Sequence, residues 1–444
     1  MSEVTKALGN NSESNNLNEM KKRLLLYIFT LLCYVSFAQT YNLQQLRDSA
    51  LRNNIEIKSA QYNIEAAKQQ RKETLTKFFP NIQAFGMVFR SDNGMAKLSI
   101  EPNQIIPIPI EMALMKKGTI AGITAVQPVF AGEQIVNGYK MAKAGEQVSE
   151  LQMENSKNIV EKSVEEYYWK LVSLTDKLKT INAVEKLLSD IKKDVEVAIQ
   201  AGLAMNNDLL QVQIRQNETE SSKSMVLNGI STLKLTLAQY CGLSDTSFVV
   251  ESYSNDIPAI AFKENHSDAL YKTVEYKMMD KYVQVTKLEK RMALGSNLPS
   301  LAVGAGYNYH NLLEKDHKFG MVFATVSIPI SGWWGGSHAI KRKKIEHQKA
   351  VENLESNSEL LKIRMHKAWN DLNDSHKQLE IAQKSIEQAK ENLRLNIDYY
   401  KAGITKMSDL LEAQLLYQQT RDKYTDSFAE YRIKLLEYEQ SVGK

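Results

Sequence analysis

The chain has 444 residues, of which 24% are charged, and its formal net charge is only +4. This balance lacks the strongly basic surface expected of a protein that binds nucleic acid, so we predict no nucleic-acid partner.

The N-terminal region predicts a secretory leader. Residues 20–39, MKKRLLLYIFTLLCYVSFAQ, contain a basic start, an apolar run and small residues near the expected cleavage point. The apolar run is shorter than the roughly 20 residues that cross a bilayer as a helix. We predict a signal peptide over 1–38, with translation starting at Met20. Because Cys33 lies in this leader, Cys241 would be left alone, without an intrachain disulfide.

The rest of the chain alternates between two periodicities. Segments 79–128 and 299–329 each contain two stretches in which apolar side chains alternate with small or polar ones, which predicts hairpins of strands about ten residues long. Segments 132–241 and 337–442 lack proline and predict pairs of helices. Residues 337–402 contain neither glycine nor proline, so we expect one helix of roughly 65 residues, about 100 Å long.

The order of these segments indicates a tandem duplication. AGLAMNNDLLQVQ at 201–213 and AGITKMSDLLEAQ at 402–414 share six of thirteen residues at an offset of 201. We therefore predict two repeats, 39–255 and 256–444. Each begins with a shorter helical segment, followed by a strand hairpin and a long helix pair.

Two pairs of prolines locate the difference between the copies. Pro128 and Pro329, where strands lead into helices, keep the offset of 201, whereas Pro80 and Pro299 differ by 219. The first copy therefore has 18 extra residues between Pro80 and Pro128. We expect this insertion, within 91–118, to enlarge a loop.

Each repeat also predicts a sharp helical turn. Gly202 and Gly403 lie where a helix C-terminus favours a left-handed residue, so each is expected at the tip of a helical hairpin.

Four strands with one apolar face are typical of a transmembrane barrel, although the signal of each strand is weak and the edge of a soluble sheet is the alternative. The smallest such barrels have eight strands, and lipid does not tolerate open sheet edges. A barrel would therefore require several chains.

At this level the sequence resembles the TolC-like outer-membrane efflux proteins, from about residue 41 to 440. The resemblance is carried by LQQLRDSALRNNIEIKSA at 43–60, by the FFP and NLP entries to the strand hairpins, by QPVFAGEQ and IPISGWWGG at their exits, and by the duplicated AG-x5-D-L-L tips.

The resemblance implies a mainly α fold with a membrane β-barrel. Three chains would each give four strands to one twelve-stranded barrel and their helices to a coiled-coil tunnel in the periplasm. It implies the outer membrane of a Gram-negative bacterium, and as partners a periplasmic adaptor and an inner-membrane efflux pump or ABC transporter, as in type I secretion. The duct would passively export drugs, small molecules or secreted proteins.

The tip residues are the candidates for a gate. Asp409 and Glu412 are three apart at a helix start and share a face, and the family's constriction ring falls on them. The alternative is that an acidic first turn only complements the helix dipole. Asp208 holds the matching place in the first repeat. Tyr400 matches a tyrosine of the family's entrance lock, but Thr405 stands where that lock has an arginine.

Two further features have open interpretations. Trp333 and Trp334 suit an aromatic girdle at the membrane interface, or they pack between helices. KRKK at 341–344 would meet lipid phosphates, or it is a solvated helix face.

The histidine spacing and the absence of catalytic motifs argue against metal binding and catalysis. Four histidines of the last helical segment lie 9, 19 and 10 residues apart, unlike a helical metal pair: His338, His347, His366 and His376. The sequence contains no nucleophile elbow and no phosphate loop. We predict no enzyme, no cofactor and no metal. The rival function is a periplasmic adaptor or coiled-coil scaffold outside the bilayer, but the duplicated strand hairpins favour the channel.

Overall fold

A computed structural model describes residues 40–101, 108–251, 262–312 and 315–444. The predicted leader and its start at Met20 lie outside the described residues.

Long helices make up most of the described chain. In chain order the helices are α1 Leu43–Asn53, α2 Ile55–Thr76, α3 Gln134–Gln200, α4 Asn206–Cys241, α5 His266–Ala269, α6 Val274–Gly295, α7 Gly332–Lys401 and α8 Met407–Ser441. A short 3-10 turn, Leu270–Lys272, joins α5 to α6.

The strands of the described residues form three separate sheets. They are β1 Thr40–Tyr41, β2 Asn81–Arg90, β3 Ala96–Ile100, β4 Ile110–Leu114, β5 Lys117–Phe130, β6 Val249–Val250, β7 Ser300–His310 and β8 His317–Ser327. The main sheet is antiparallel, in the order β2-β5-β7-β8. β1 pairs with β6 in parallel, and β3 pairs with β4 antiparallel.

The long helices follow the proline-free segments closely. α3 has 67 residues and α7 has 70, because nothing inside them removes a backbone N–H or blocks a helical turn. None of the helices in the described ranges carries an apolar stretch long enough to cross a bilayer.

The main sheet brings the two repeats side by side. Each repeat gives one hairpin, β2–β5 or β7–β8, and the central β5–β7 pairing joins them. Pro128 lies inside β5, where the register with β7 shifts between Pro128 and Phe130. A bulge is one of the few places in a sheet that tolerates proline. Pro329 follows the end of β8.

The insertion of the first repeat contains structure that the sequence did not predict. Within 91–118, β3 and β4 form a five-residue antiparallel ladder where we expected a loop. The apolar runs there are short and are separated by prolines, so their alternation is too brief to indicate strands. Residues 102–107 between them lie outside the described part of the chain.

Two compact units divide the chain, and they cut across the repeats. The described residues of the first unit fall within Met1–Ala50, Val164–Asp256 and Ser385–Ala429, and those of the second within Leu51–Ser163, Ile257–Lys384 and Glu430–Lys444. The repeat boundaries at 39–255 and 256–444 stay a prediction. The first unit buries Leu46, Leu171, Leu188, Leu237 and Phe248 completely, and the second buries Leu372, Leu379 and Tyr431.

The main sheet, in the second unit, has two different faces. Partners in register share a face, and the strand pairings define two sets. One, which we call the aliphatic face, contains Ile82, Val88, Ile123, Val303, Val322 and Val326. The other, the mixed face, contains Asn81, Gln83, Thr124, Asn308 and Thr325 together with Phe85, Phe319 and Phe323. The aliphatic side chains are highly exposed, with Val322 at 85% and Val88 at 79%.

Aromatic rings on the mixed face lie over glycines of the neighbouring strand. A Cβ atom at Gly122 would approach the ring of Phe85 to 3.1 Å, and one at Gly304 would collide with the ring of Phe323. These glycines therefore make room for the rings to lie flat against the sheet.

Replacing Gly304 with alanine tests this packing. We expect Gly304→Ala to lower the free energy of unfolding by about 1–3 kcal/mol, the usual cost of overpacking, because the Phe323 ring must move. Gly86→Ala is the matched control, since nothing lies within 4 Å of a Cβ at Gly86. Denaturant unfolding in detergent measures both variants, and an equal effect of the two would contradict the packing.

Candidate functional site

The tips of the two long helical hairpins end in the same turn. Gly202 has φ +74° and Gly403 has φ +70°. Just beyond them, Leu203 N donates to Ala198 O at 2.8 Å, and in the second repeat Ile404 N donates to the carbonyl of residue 399 at 2.9 Å. This is the glycine-terminated Schellman pattern, so both repeats turn at the tip in the same way.

The duplicated aspartates cap the helices that follow the tips. Asp208 is the third residue of α4, and its Oδ2 accepts from Met205 N at 3.2 Å. Asp409 is the third residue of α8, and its Oδ2 accepts from Lys406 N at 3.4 Å. A carboxylate at this position satisfies a backbone donor that the helix leaves unpaired. Capping therefore explains the repetition of aspartate without reference to a gate, whose role for these residues remains a prediction.

Asp409 receives additional hydrogen bonds from its neighbours. Thr405 Oγ1 donates to Asp409 Oδ2 at 2.8 Å, and Ser408 Oγ donates to Oδ1 at 3.2 Å. The Thr405 bond is the largest cause that lowers the pKa of Asp409, followed by the bond from the Lys406 backbone. Thr405, at the place of the lock arginine, thus supports the cap and helps to keep Asp409 ionised. Glu412, one turn further on, is exposed.

An apolar cluster beneath the tips draws side chains from all four long helices. Its buried members are Ile191, Val195, Val212, Leu393, Met407, Leu410 and Ala413. Tyr400 packs against this cluster. Burial first, and then the charges of Asp208 and Asp194, raise the pKa of Tyr400. The first unit therefore places the predicted lock residues Asp208 and Tyr400 near each other.

One buried polar contact at the tips was not predicted. Arg215 on α4 donates from Nε to Gln414 Oε1 at 2.9 Å and from Nη1 to Glu218 at 2.7 Å. Gln414 on α8 is completely buried. The identity of Gln213 and Gln414 in the aligned repeats was the available signal, but it does not reveal the arginine.

A second polar network joins α3 and α8 further from the tips. Asp176, which is buried, accepts from Arg421 at 3.3 Å and from Thr425 at 3.2 Å. Lys177 pairs with Asp426 at 2.8 Å. Ser173 donates to Asp426 at 2.9 Å, and Lys179 lies 3.8 Å from Asp176. Asp422 lies close enough to these groups for their charges to act on it. Burial is the main cause that raises the pKa of Asp422, to about 6.

The other predicted residues lie in the second unit. Trp333 lies in the first turn of α7 and donates from Nε1 to Asn297 O at 2.8 Å, whereas Trp334 is 80% exposed. Within the basic run 341–344, Lys343 pairs with Glu289 at 2.8 Å and Arg342 with Glu346 at 3.8 Å, so two of its charges are engaged inside the chain.

Chemically reactive groups are few in the described ranges. No group of three or more His, Cys, Asp or Glu side chains there is arranged to hold a metal ion. Cys241 is buried, and burial raises its pKa to about 12, which keeps the thiol protonated and unreactive.

Comparison with known proteins identifies the architecture. Residues 46–243 and 281–444 match the family model described as outer membrane efflux protein. Among solved structures, the chain is similar to the outer membrane protein VceC of Vibrio cholerae, at 12% identity with a TM-score of 0.74, covering 90% of this chain and 96% of that one. It is also similar to the CmeC outer membrane channel of Campylobacter jejuni, at 16% identity, TM-score 0.73, with 90% and 85% covered. A third is the Neisseria gonorrhoeae MtrE outer membrane channel, at 15% identity, TM-score 0.72, with 90% and 88% covered.

At these identities the similarity shows the fold. The prediction of two tandem repeats with long helical hairpins and four strands is confirmed. No curated protein matches the chain in sequence.

Removing the arginine beneath the tips tests the buried contact. We expect Arg215→Met to lower the free energy of unfolding by about 1–3 kcal/mol, because Gln414 keeps a buried acceptor without this donor. The double variant Arg215→Met/Gln414→Leu should recover part of this loss, since both polar partners are then replaced. The measurement is a double-mutant cycle of unfolding free energies. Arg394→Met, which removes exposed pairs with Glu391 and Asp398, is the control and should have little effect. Additive effects at 215 and 414 would refute the coupling.

The raised pKa of Asp422 predicts a dependence of stability on pH. Because the folded pKa of about 6 lies above the ordinary 3.8, folding favours the protonated form, and stability falls as pH rises between these values. We expect Asp422→Asn to raise the unfolding temperature relative to wild type at pH 7.5 and to have little effect at pH 4. Asp426→Asn, which breaks the pair with Lys177, is the control and should bring no gain. The measurement is thermal unfolding at both pH values. A rise in the unfolding temperature of Asp422→Asn that is the same at both pH values would contradict the raised pKa of Asp422.

Proposed function

The chain belongs to the outer membrane efflux protein family, and we propose that it is a passive exit duct, which receives its cargo from an inner-membrane transporter through a periplasmic adaptor. The family is one of transport channels, so the activity is permeation rather than catalysis, and the energy comes from the partner. The cargo class is drugs, small molecules or secreted proteins. Its signal peptide would direct the chain across the inner membrane.

The observation that carries the proposal is the main sheet. β2 and β8 lie at its two edges, and its aliphatic face exposes large apolar side chains. Lipid tolerates strands only when every edge is paired. Three chains would supply twelve strands, above the eight of the smallest barrels. The aliphatic face would then meet lipid, and the mixed face, which carries the asparagines and threonines, would line the lumen.

The helices and the tryptophans fit the same arrangement. At 1.5 Å per residue, α3 and α7 each extend about 100 Å, long enough for the wall of a periplasmic tunnel. Trp333 and Trp334 lie in the first turn of α7, six and seven residues after the end of β8 at Ser327, a suitable place for an interfacial girdle. The sequence alternative, an adaptor or scaffold without a barrel, leaves the exposed aliphatic face without a role.

At the tips, the proposed entrance combines an acidic ring with a docking surface. Asp409 and Glu412 from three chains would place six carboxylates around the axis, favouring cations, while Asp208 and Tyr400 would take part in closing it. Three large apolar side chains at the tips are highly exposed, namely Leu203 at 85%, Met205 at 75% and Ile404 at 72%. We propose that the adaptor covers them.

Single-channel conductance of the purified protein in planar bilayers tests the proposal. Wild type should show discrete, cation-preferring openings, and Asp409→Asn/Glu412→Gln should reduce the cation preference several-fold, because the ring loses its charge. Asparagine at 409 can still cap α8, so the fold is retained.

A variant of opposite sign provides the matched control. Gln211→Glu adds a carboxylate at the equivalent place in the first repeat and should strengthen the cation preference. If the ion preference of the openings is unchanged by all three substitutions, the protein is still a duct, but these carboxylates serve only as helix caps. A well-folded trimer without openings would instead support an adaptor or scaffold.

A further inference from the structure

Two histidines face each other where β7 and β8 end. His310 and His317 are the last partners of the β7–β8 register. Their ring centroids are 5.2 Å apart, with an angle of 45° between the ring planes. Directly opposed residues on adjacent strands hold their Cβ atoms at about 5 Å, so the backbone itself sets this approach.

The separation of the rings fits a shared metal ion. Imidazole nitrogens bind zinc at about 2.0–2.1 Å, which places the centres of two rings on one tetrahedral ion about 5 Å apart. His310 Nδ1 is buried and has no hydrogen-bond partner in the structure. A neutral imidazole nitrogen with a free lone pair is the form that binds a metal.

Neighbouring contacts fix both histidines in place. Asn311 anchors the end of β7 to β5, because its Oδ1 accepts from Thr119 N at 2.6 Å. Across the hairpin, Tyr309 donates to Asp316 Oδ1 at 2.8 Å. The ring of Phe319 lies 6.1 Å from His310 and 5.8 Å from His317. The strand ends that carry the pair are therefore fixed before any ligand arrives, which favours binding.

We propose that His310 and His317 together bind one divalent transition-metal ion, such as Zn²⁺. Imidazole ligands favour zinc, copper and nickel over magnesium and calcium. Two protein ligands leave the other coordination positions to water, which makes this a site of moderate affinity, in keeping with the absence of three-ligand groups from the described residues. On a helix, residues seven apart lie about 10 Å from each other along the axis, too far to share one ion, so only the strand register brings the two rings together.

The site would have a consequence for the duct. Both histidines lie on the mixed face at the end of β7–β8 opposite to the start of α7. If the proposed function holds, a bound ion lies at the outer mouth of the lumen and ties the two strands together. Binding itself does not depend on the proposed function, so the test uses binding alone.

A calorimetric titration of the detergent-solubilised protein with Zn²⁺ tests the site. We expect one ion per chain and a rise in the unfolding temperature with Zn²⁺. His310→Gln and His317→Gln should each weaken binding roughly tenfold or more, since a single imidazole cannot chelate.

The control addresses the other histidines. His266 and His366 form a second ring pair, with centroids 4.5 Å apart, and His338 is exposed. His338→Gln/His366→Gln disrupts this second pair and should bind Zn²⁺ like wild type, because the proposal assigns the ion to His310 and His317. Unfolding temperatures without metal verify that each variant folds, and either single variant at the hairpin suffices for the test. Binding that survives both hairpin substitutions, or that disappears in the control variant, would overturn the proposal.

Discussion

The unpaired edges of the main sheet are the constraint on which the rest of the structure depends. In the described ranges, β2 pairs only with β5 and β8 only with β7, so each strand leaves one row of backbone donors and acceptors open. An exposed aliphatic face beside such edges would aggregate in water and could not exist unpaired in lipid. Pairing with strands of further copies resolves both problems. The high exposure of Val88 and Val322 is then a property of one chain taken from its assembly.

The sequence allowed the elements to be predicted because their patterns are long. Proline-free runs of more than sixty residues and alternation over about ten residues leave little choice of secondary structure. The sequence did not predict β3 and β4, because five-residue strands beside prolines carry too short an alternation of apolar and polar residues. The two compact units could not be predicted either, since α3, α7 and α8 each run through both of them and repetition along the sequence gives no information on such a division.

At the tips, sequence and structure explain different things. The duplicated motif located both turns, and the backbone bonds of Asp208 and Asp409 give the motif a cause in helix capping. Polar pairs such as Arg215 with Gln414, or Asp176 with Arg421, join helices far apart in the sequence and depend on how those helices pack. The histidines facing each other at 310 and 317 belong to the same class, because a register of strands and not a spacing along the chain creates them.

Capping also bears on how the two copies of a duplicated gene can diverge. An aspartate that caps the first turn of its helix stabilises the fold, and this role does not depend on any role in permeation. The residue one turn later does not cap the helix, and at this position the two copies differ, with Gln211 in the first and Glu412 in the second. In the proposed duct, a single substitution at that position would change the charge of the entrance without disturbing the capped turn beside it.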